Sequence, residues 1–327
     1  MEMTNDSGLR IAHVDTDEAL GRDWPAYRQD ADVIRVRDPE AADRPLLRKA
    51  GFAVKPSWLT WLAPVRASEE DFLGRLGRRA RKNARHSLRT LRDRGVRVGV
   101  HPLDAPALDA FLVVYDAHMS RLRNGVPYAV GMREQFLEQA DGYFLVRATD
   151  AEGVLIGGCV CALDTADSVV RIRFSAMAAE ERNGQLVRAM YLMACQEARE
   201  RGHRWLSLGS DPSLYGHVAQ PGLFVFKSQF GCVPVPSQLL DPEDGSDEAD
   251  LVVSLRALTD PSLVVAYDTE RPTDPTKGES WMSAPPEDTA VLPVPLRMEI
   301  LSAAGVPDPS LYTAGFISRV DSRVIAP

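Results

Sequence analysis

Two periodicities alternate through the middle of the chain. Leu186, Met190, Ala194 and Ala198 recur at helical spacing, Arg199 and Arg201 fall in the last turn, and Gly202 stands where a left-handed terminus belongs. One amphipathic helix is predicted there. Trp205-Leu206-Ser207-Leu208-Gly209 then alternates as a strand, and the turn residues Ser210-Asp211-Pro212-Ser213 are expected to break it into a loop. From Leu223 to Gly231 an apolar short helix closed by glycine carries a single cation, Lys227.

Upstream, the pattern predicts a strand over 96–100, a helix over 107–122 with Leu108, Phe111, Leu112 and Tyr115 inward, and a second helix over 132–139. Strands over 143–147 and 154–163 flank the turn Asp150-Ala151-Glu152-Gly153, and 169–175 alternates Val170, Ile172 and Phe174 against Arg171, Arg173 and Ser175. Ser68-Glu69-Glu70-Asp71 is a capping-box pattern that opens a helix with the stripe Leu73, Leu76, Ala80, Ala84, Leu88 and Leu91, expected to run over 68–94. Before it, 33–36 and 58–62 hint at a small sheet. After Leu240 the acids Asp241, Glu243, Asp244, Asp247, Glu248 and Asp250 read as a linker into a proline-rich tail with strand-like runs at 251–255 and 262–267. A lid, an oligomerisation arm or a partner-binding module are equally open for that tail.

Composition narrows the classes. With 327 residues and 45% hydrophobic positions, the chain has room for one large or two small domains. No run of about 18 apolar residues occurs, so no membrane span is expected, and the start lacks a secretory pattern, so a cytoplasmic protein is expected. Cys159, Cys161, Cys195 and Cys232 sit in apolar contexts and read as buried thiols, and the six histidines are scattered, which gives neither a zinc site nor a catalytic metal support. The net charge of −8 is unevenly spread: Arg75 to Arg97 holds ten Lys or Arg and one Asp, a net of +9. One basic patch on an acidic chain suits a local anion site better than general coating of nucleic acid.

The long helix, Gly202, the strand ending in Leu208-Gly209, and Phe226-Lys227-x-x-Phe230-Gly231 together resemble the last part of a GNAT-superfamily acyltransferase domain. Within it, the resemblance is to Fem-type aminoacyltransferases and cellulose-biosynthesis-type acetyltransferase-like domains, whose R-x-N-x-R element is similar to Arg81-Lys82-Asn83-Ala84-Arg85. It covers about residues 66–236. It implies an α/β (α+β) fold with a GNAT-like, mixed, mostly antiparallel sheet flanked by helices. The expected domains are a shortened N-terminal GNAT-like region over 1–94, an acyltransferase domain over 95–240, and an acidic linker and extension over 241–327.

The reaction implied is acyl transfer to an amine, with acyl-CoA or aminoacyl-tRNA as co-substrate and no permanently bound cofactor. Lys227 matches the family lysine, implied to steady negative charge, and Tyr215 stands where such proteins often place a tyrosine general acid, although a loop anchor fits it equally. Ser210 and Asp211 are substrate-binding candidates for the acceptor amine, and Arg173 for a cleft wall. Arg81 and Arg85, one turn apart, suit a phosphate-bearing substrate, or else form an ordinary solvated face. Where the superfamily places its pyrophosphate glycines, this chain has Gln185 and Val187, so Arg182 and Gly184 are left as a weaker anion nest. Asp116, His118 and Arg123 are further polar candidates. The expected partners are an acyl donor and an amine acceptor, with tRNA in the Fem-type case and no DNA; a non-catalytic binding protein on an eroded GNAT fold stays open.

Overall fold

The computed structural model describes residues 2–21, 29–122, 125–181, 184–268, 294–305 and 307–325. Arg123, Arg182 and the prolines at 272, 275, 285, 286 and 293 lie outside the described residues. In chain order, the first elements are β1 (Glu2–Asp6), β2 (Leu9–His13), α1 (Thr16–Gly21), β3 (Val33–Arg37), α2 (Arg44–Lys49), β4 (Ala53–Pro56) and β5 (Trp58–Pro64). Next come α3 (Glu69–Arg75), α4 (Arg78–Asp93), β6 (Arg97–Pro102), α5 (Ala105–Met119), α6 (Tyr128–Gly131), α7 (Arg133–Glu138), β7 (Tyr143–Thr149), β8 (Leu155–Asp164) and β9 (Val169–Met177). Then follow α8 (Gln185–Glu200), β10 (Trp205–Pro212), β11 (Leu214–Tyr215), α9 (Pro221–Gln229), β12 (Val233–Pro236), β13 (Asp247–Val252), β14 (Ser262–Tyr267), β15 (Leu296–Ser302) and β16 (Ile317–Val324). No helix among the described residues is long and apolar enough to cross a membrane.

The chain divides into two units, one of residues 1–61, 210–228 and 233–327, the other of residues 62–209 and 229–232. This differs from the division expected at 94/95 and 240/241. The reason is that the N-terminal strands are completed by the C-terminal part of the chain, which therefore belongs with them rather than standing apart as an extension.

In the second unit, strands follow the order β5-β10-β9-β8-β7-β6, with β6 at the edge. β6, β7, β8 and β9 pair antiparallel, and β9 pairs parallel with β10. The strand, the helices, the three antiparallel strands, the long helix and the parallel strand stand in the order that the GNAT resemblance implies, a mixed, mostly antiparallel sheet flanked by helices. Its helices lie on both faces because β8 carries adjacent glycines that face opposite ways. A Cβ on Gly157 would lie 2.9 Å from Leu186 Cδ2 of α8 and 3.1 Å from Ala176 O, and one on Gly158 would lie 3.0 Å from Phe111 Cδ2 of α5. Both helices thus approach bare backbone.

The expected single helix over 68–94 is two. Ser68 accepts the Asp71 N–H, as its capping pattern predicts, but Leu76 is extended (ψ 145°) and Gly77 is the N-cap residue of α4. Arg81 donates to Gly74 O and Leu76 O, so that one guanidinium satisfies the carbonyls left open where α3 ends. The stripe periodicity carries across the break and conceals it. The four cysteines are free and buried.

In the first unit, the five-stranded sheet has the order β1-β2-β3-β13-β4, and a four-stranded sheet has the order β11-β14-β15-β16. Ile11, Val33, Ala53 and Val252 of one sheet pack with Val264, Ala266 and Leu301 of the other. The acidic stretch expected as a linker contributes β13, the strand between β3 and β4. Asp247, Glu248 and Asp250 are buried there. Arg35 holds Asp250 through two hydrogen bonds of 2.7 and 2.8 Å and Glu248 at 2.8 Å, Lys55 reaches both carboxylates, and Arg44 meets Asp247 at 2.9 Å. Burial pushes the Asp250 carboxyl up, but Arg35 and Lys55 outweigh it and hold it below the usual carboxylate range. A run of acids looks solvated in sequence because its partners lie on other strands.

Gly157→Val is expected to lower stability by about 1–3 kcal/mol through overpacking of α8 on β8. Urea unfolding measures it; an unchanged midpoint would mean that α8 can retreat from the strand without loss.

Candidate functional site

Lys227 lies on α9 one turn after Phe224, and these are the buried residues of that helix. Its ammonium donates to Asp211 Oδ1 at 2.7 Å. Tyr215 donates to Asp211 Oδ2 at 3.1 Å, and Trp61 Nε1 donates to the Tyr215 hydroxyl at 3.0 Å. The polar chain is enclosed by rings: Phe224 meets Trp61 at 5.3 Å and Tyr215 at 5.6 Å, both edge-on, and Phe316 meets Trp61 at 5.8 Å. Lys227 Nζ stands 6.0 Å from the Trp61 ring centre. Trp61 and Tyr215 are 0% exposed, and Asp211 and Lys227 are each 5% exposed.

The sequence candidates Lys227, Tyr215 and Asp211 are therefore one hydrogen-bonded group, all within the first unit. Burial raises the Asp211 pKa, with Lys227, Tyr215 and Trp61 pulling against it. Burial, then the Asp211 charge, push the Tyr215 hydroxyl well above its ordinary value, so it keeps its proton at neutral pH. Chemically the group is a carboxylate held between an ammonium and a phenol. Ser210 is exposed and turned elsewhere: its hydroxyl lies 2.9 Å from Thr60 Oγ1, which in turn lies 2.8 Å from Ser237 Oγ. Trp61 and Thr60 went unmarked in sequence because both lie in a run that reads as an ordinary apolar strand. Their alternation, one toward each face, was the available signal.

In the second unit, the parallel ladder between β9 and β10 covers Trp205↔Val169, Leu206↔Val170 and Ser207↔Arg171. Strand β9 continues to Met177. The ladder ends at Ser207; two residues on, Gly209 is left-handed (φ 75°) and its N–H turns to Ser207 Oγ at 3.2 Å. Its own Cα still lies close to β9, since a Cβ would meet Ile172 O at 3.7 Å. Leu208-Gly209 was visible in sequence, but its conformation was not, and the loop expected over 210–213 is instead strand as far as Pro212, because β10 runs on past Gly209.

Gly184 is the N-cap residue of α8, also left-handed (φ 75°), with nothing within 4 Å of where its Cβ would be. The first N–H groups of α8 there lack intrahelical partners. Glu181, three residues earlier, is bound by both Arg94 guanidinium nitrogens, so its charge is covered. Arg182, paired with Gly184 in the sequence reading, lies outside the described residues. Arg173 is exposed on β9. Arg81 is spent on the α3 carbonyls, and Arg85 meets Glu70 at 2.5 Å on the surface, so the two guanidiniums do not converge on a shared point. His118 Nδ1 is 3.2 Å from Met177 O.

No protein-family model matches the chain, and no curated protein matches it. Among solved structures, that of FemX is 15% identical with a TM-score of 0.45, the match covering 75% of this chain and 80% of that one. L-PGS from Bacillus licheniformis is 14% identical with a TM-score of 0.40, over 76% of this chain and 79% of that one. A tandem GNAT protein from the clavulanic acid biosynthesis pathway is 13% identical with a TM-score of 0.36, over 69% and 66%. No residue role passes to this chain at such identities. The fold itself, read from element order and strand register, is GNAT-like.

Lys227→Met is expected to cost about 3–5 kcal/mol at neutral pH, because it leaves a buried carboxylate without its counter-charge. Lys227→Met with Asp211→Leu should recover much of that. The Asp211 pKa is raised on folding and rises further without Lys227, so the native state takes up the proton first and the deficit of Lys227→Met shrinks as pH falls from about 7 toward about 4.5. Urea unfolding at both pH values reads it; a deficit independent of pH would mean that Asp211 is not the group left unpaired.

Proposed function

We propose that the chain is an N-acyltransferase of GNAT type, which moves an acyl group from acyl-CoA to the amine of a small molecule or peptide. The observation that carries this reading is the end of the β9/β10 ladder after Ser207↔Arg171, just before the left-handed Gly209. Past that point β9 offers strand backbone to whatever extended, amide-bearing chain lies along it, and the pantetheine arm of CoA is such a chain. The pyrophosphate at the other end of CoA suits the N-terminal N–H groups of α8 beside the left-handed Gly184.

In this reading the neutral amine attacks the thioester carbonyl, a tetrahedral oxyanion forms, the C–S bond breaks, and the proton lost by the amine ends on the departing thiolate. Lys227, Tyr215 and Asp211 enter as positioning residues. Their polar atoms are buried and bonded to one another, so they hold the end of β10 that follows Gly209 rather than meet the substrate. Ser210, exposed on that stretch of strand, is the acceptor-side candidate.

A second reading, transfer from aminoacyl-tRNA, is supported by a different feature. Arg78, Arg79, Lys82, Arg85, Arg89 and Arg92 are all exposed along α4, a line of charge suited to a phosphate backbone.

Calorimetry with coenzyme A and acetyl-CoA at two salt concentrations separates the two. Saturable micromolar binding is expected, weakened about tenfold or more in Gly209→Val, whose β-branched side chain strains the left-handed turn. Absence of CoA binding would overturn the first reading. Steeply salt-dependent binding of charged tRNA, reduced by Arg85→Ala and Arg89→Ala, would then favour the second.

A further inference from the structure

Strand β6 closes one edge of its sheet, and its register with β7 sets Thr149 opposite Arg97, Arg147 opposite Gly99 and Leu145 opposite His101. These residues share one face. It is the face on which α5 packs farther in, because Arg147 is also opposite Gly158, where Phe111 rests. At the sheet edge Gly99 leaves a gap among three basic side chains. His101 Nε2 is 3.8 Å from where a Gly99 Cβ would be, and an Arg97 guanidinium nitrogen is 3.8 Å from where a Cβ would be on Gly153 in the β7–β8 turn. The result is a hollow of about 380 Å³ lined by Arg97, Gly99, His101, Arg147, Thr149 and Gly153.

The charges around it are uncompensated. Several arginines of the same unit meet carboxylates: Arg94 with Glu181, Arg133 with Asp109, Arg171 with Asp164, and Arg201 with Glu197. Among the described residues, neither Arg97 nor Arg147 has an ion-pair partner, and Arg147 Nε is buried without a hydrogen-bond acceptor. The nearby Asp150 accepts the Val154 N–H within its own turn and forms no ion pair with either arginine. Two guanidiniums on diagonal positions of a strand pair repel each other, and an oxyanion between them removes that repulsion while filling their donors.

We propose that this hollow binds an oxyanion of the phosphate type, with Arg97 and Arg147 as the fork, and His101 and the Thr149 hydroxyl as further donors. Gly99 is the specificity element, since any side chain there fills the space the anion would take. Nothing in the acyl-transfer reading requires this site, so each can fail alone.

The test is a titration of the full chain, followed by ¹H–¹⁵N correlation spectra, with inorganic phosphate and with phenyl phosphate at constant ionic strength set by chloride. Saturable shifts confined to residues 97–101, 147–149 and 153 are expected. Tighter binding of the ester would identify a phosphorylated molecule as the ligand class, and tighter binding of the inorganic ion would identify free phosphate. Arg147→Gln and Gly99→Leu should each weaken binding by about tenfold or more with an unchanged melting temperature in chloride alone. Shifts that do not saturate, shifts spread along α4, or wild-type binding by both variants would overturn the proposal.

Discussion

The first unit depends on burying acid. Strand β13 arrives 215 residues after the arginine that binds it, and it must enter between β3 and β4 with three carboxylates facing protein rather than water. Unpaired, each buried ion would cost several kcal/mol. Arg35, Lys55 and Arg44, waiting on β3, β4 and α2, make the insertion tolerable. The N-terminal strands therefore lack their central partner until the C-terminal part of the chain is present, and the unit is discontinuous in sequence for an electrostatic reason. The pairing also selects: a strand without those acids would leave Arg35 and Lys55 stranded in the sheet.

The same rule recurs, at smaller scale, around Asp211. There one carboxylate is matched by one ammonium and one phenol inside a shell of Trp61, Phe224 and Phe316. Such a group is costly to break, and it ties the end of β10 to β11 and α9. The second unit follows other rules. Its sheet is approached closely on both faces through Gly157 and Gly158, its charges sit mostly outside, and its parallel ladder stops two residues before a left-handed glycine.

These differences bear on chemistry. A transferase that takes an extended thioester donor needs free strand backbone and an anion-tolerant helix terminus more than it needs a titrating side chain, because the leaving thiolate accepts the proton that the amine loses. In the proposed reading, β9 past Arg171 and the start of α8 supply them. The buried ion pair does not contribute a reacting group in this view; it fixes the chain that follows Gly209. The exposed arginines of α4 and the basic hollow at the β6 edge are further anion-seeking features, the first diffuse and the second shaped.

Much of the element order was legible from local pattern. The 3.6-residue spacing of Leu186, Met190, Ala194 and Ala198, the alternation over 169–175, the Asp150–Gly153 turn and the Ser68 cap all depend on residues within a few positions of one another, and all are observed. Lys227 stood out as a cation among apolar neighbours, and it is buried. What lay beyond the sequence was the identity of partners: Asp211 for Lys227, Trp61 for Tyr215, and Arg35 and Lys55 for an acidic stretch that otherwise reads as linker. Backbone conformation at glycine was equally hidden, since Gly77 and Gly209 look alike as letters, while one caps a new helix and the other is left-handed within a strand. Periodicity is a local property that each segment carries by itself. Which charges meet, and where a strand stops pairing, follow from long-range register, and only the tertiary structure decides that.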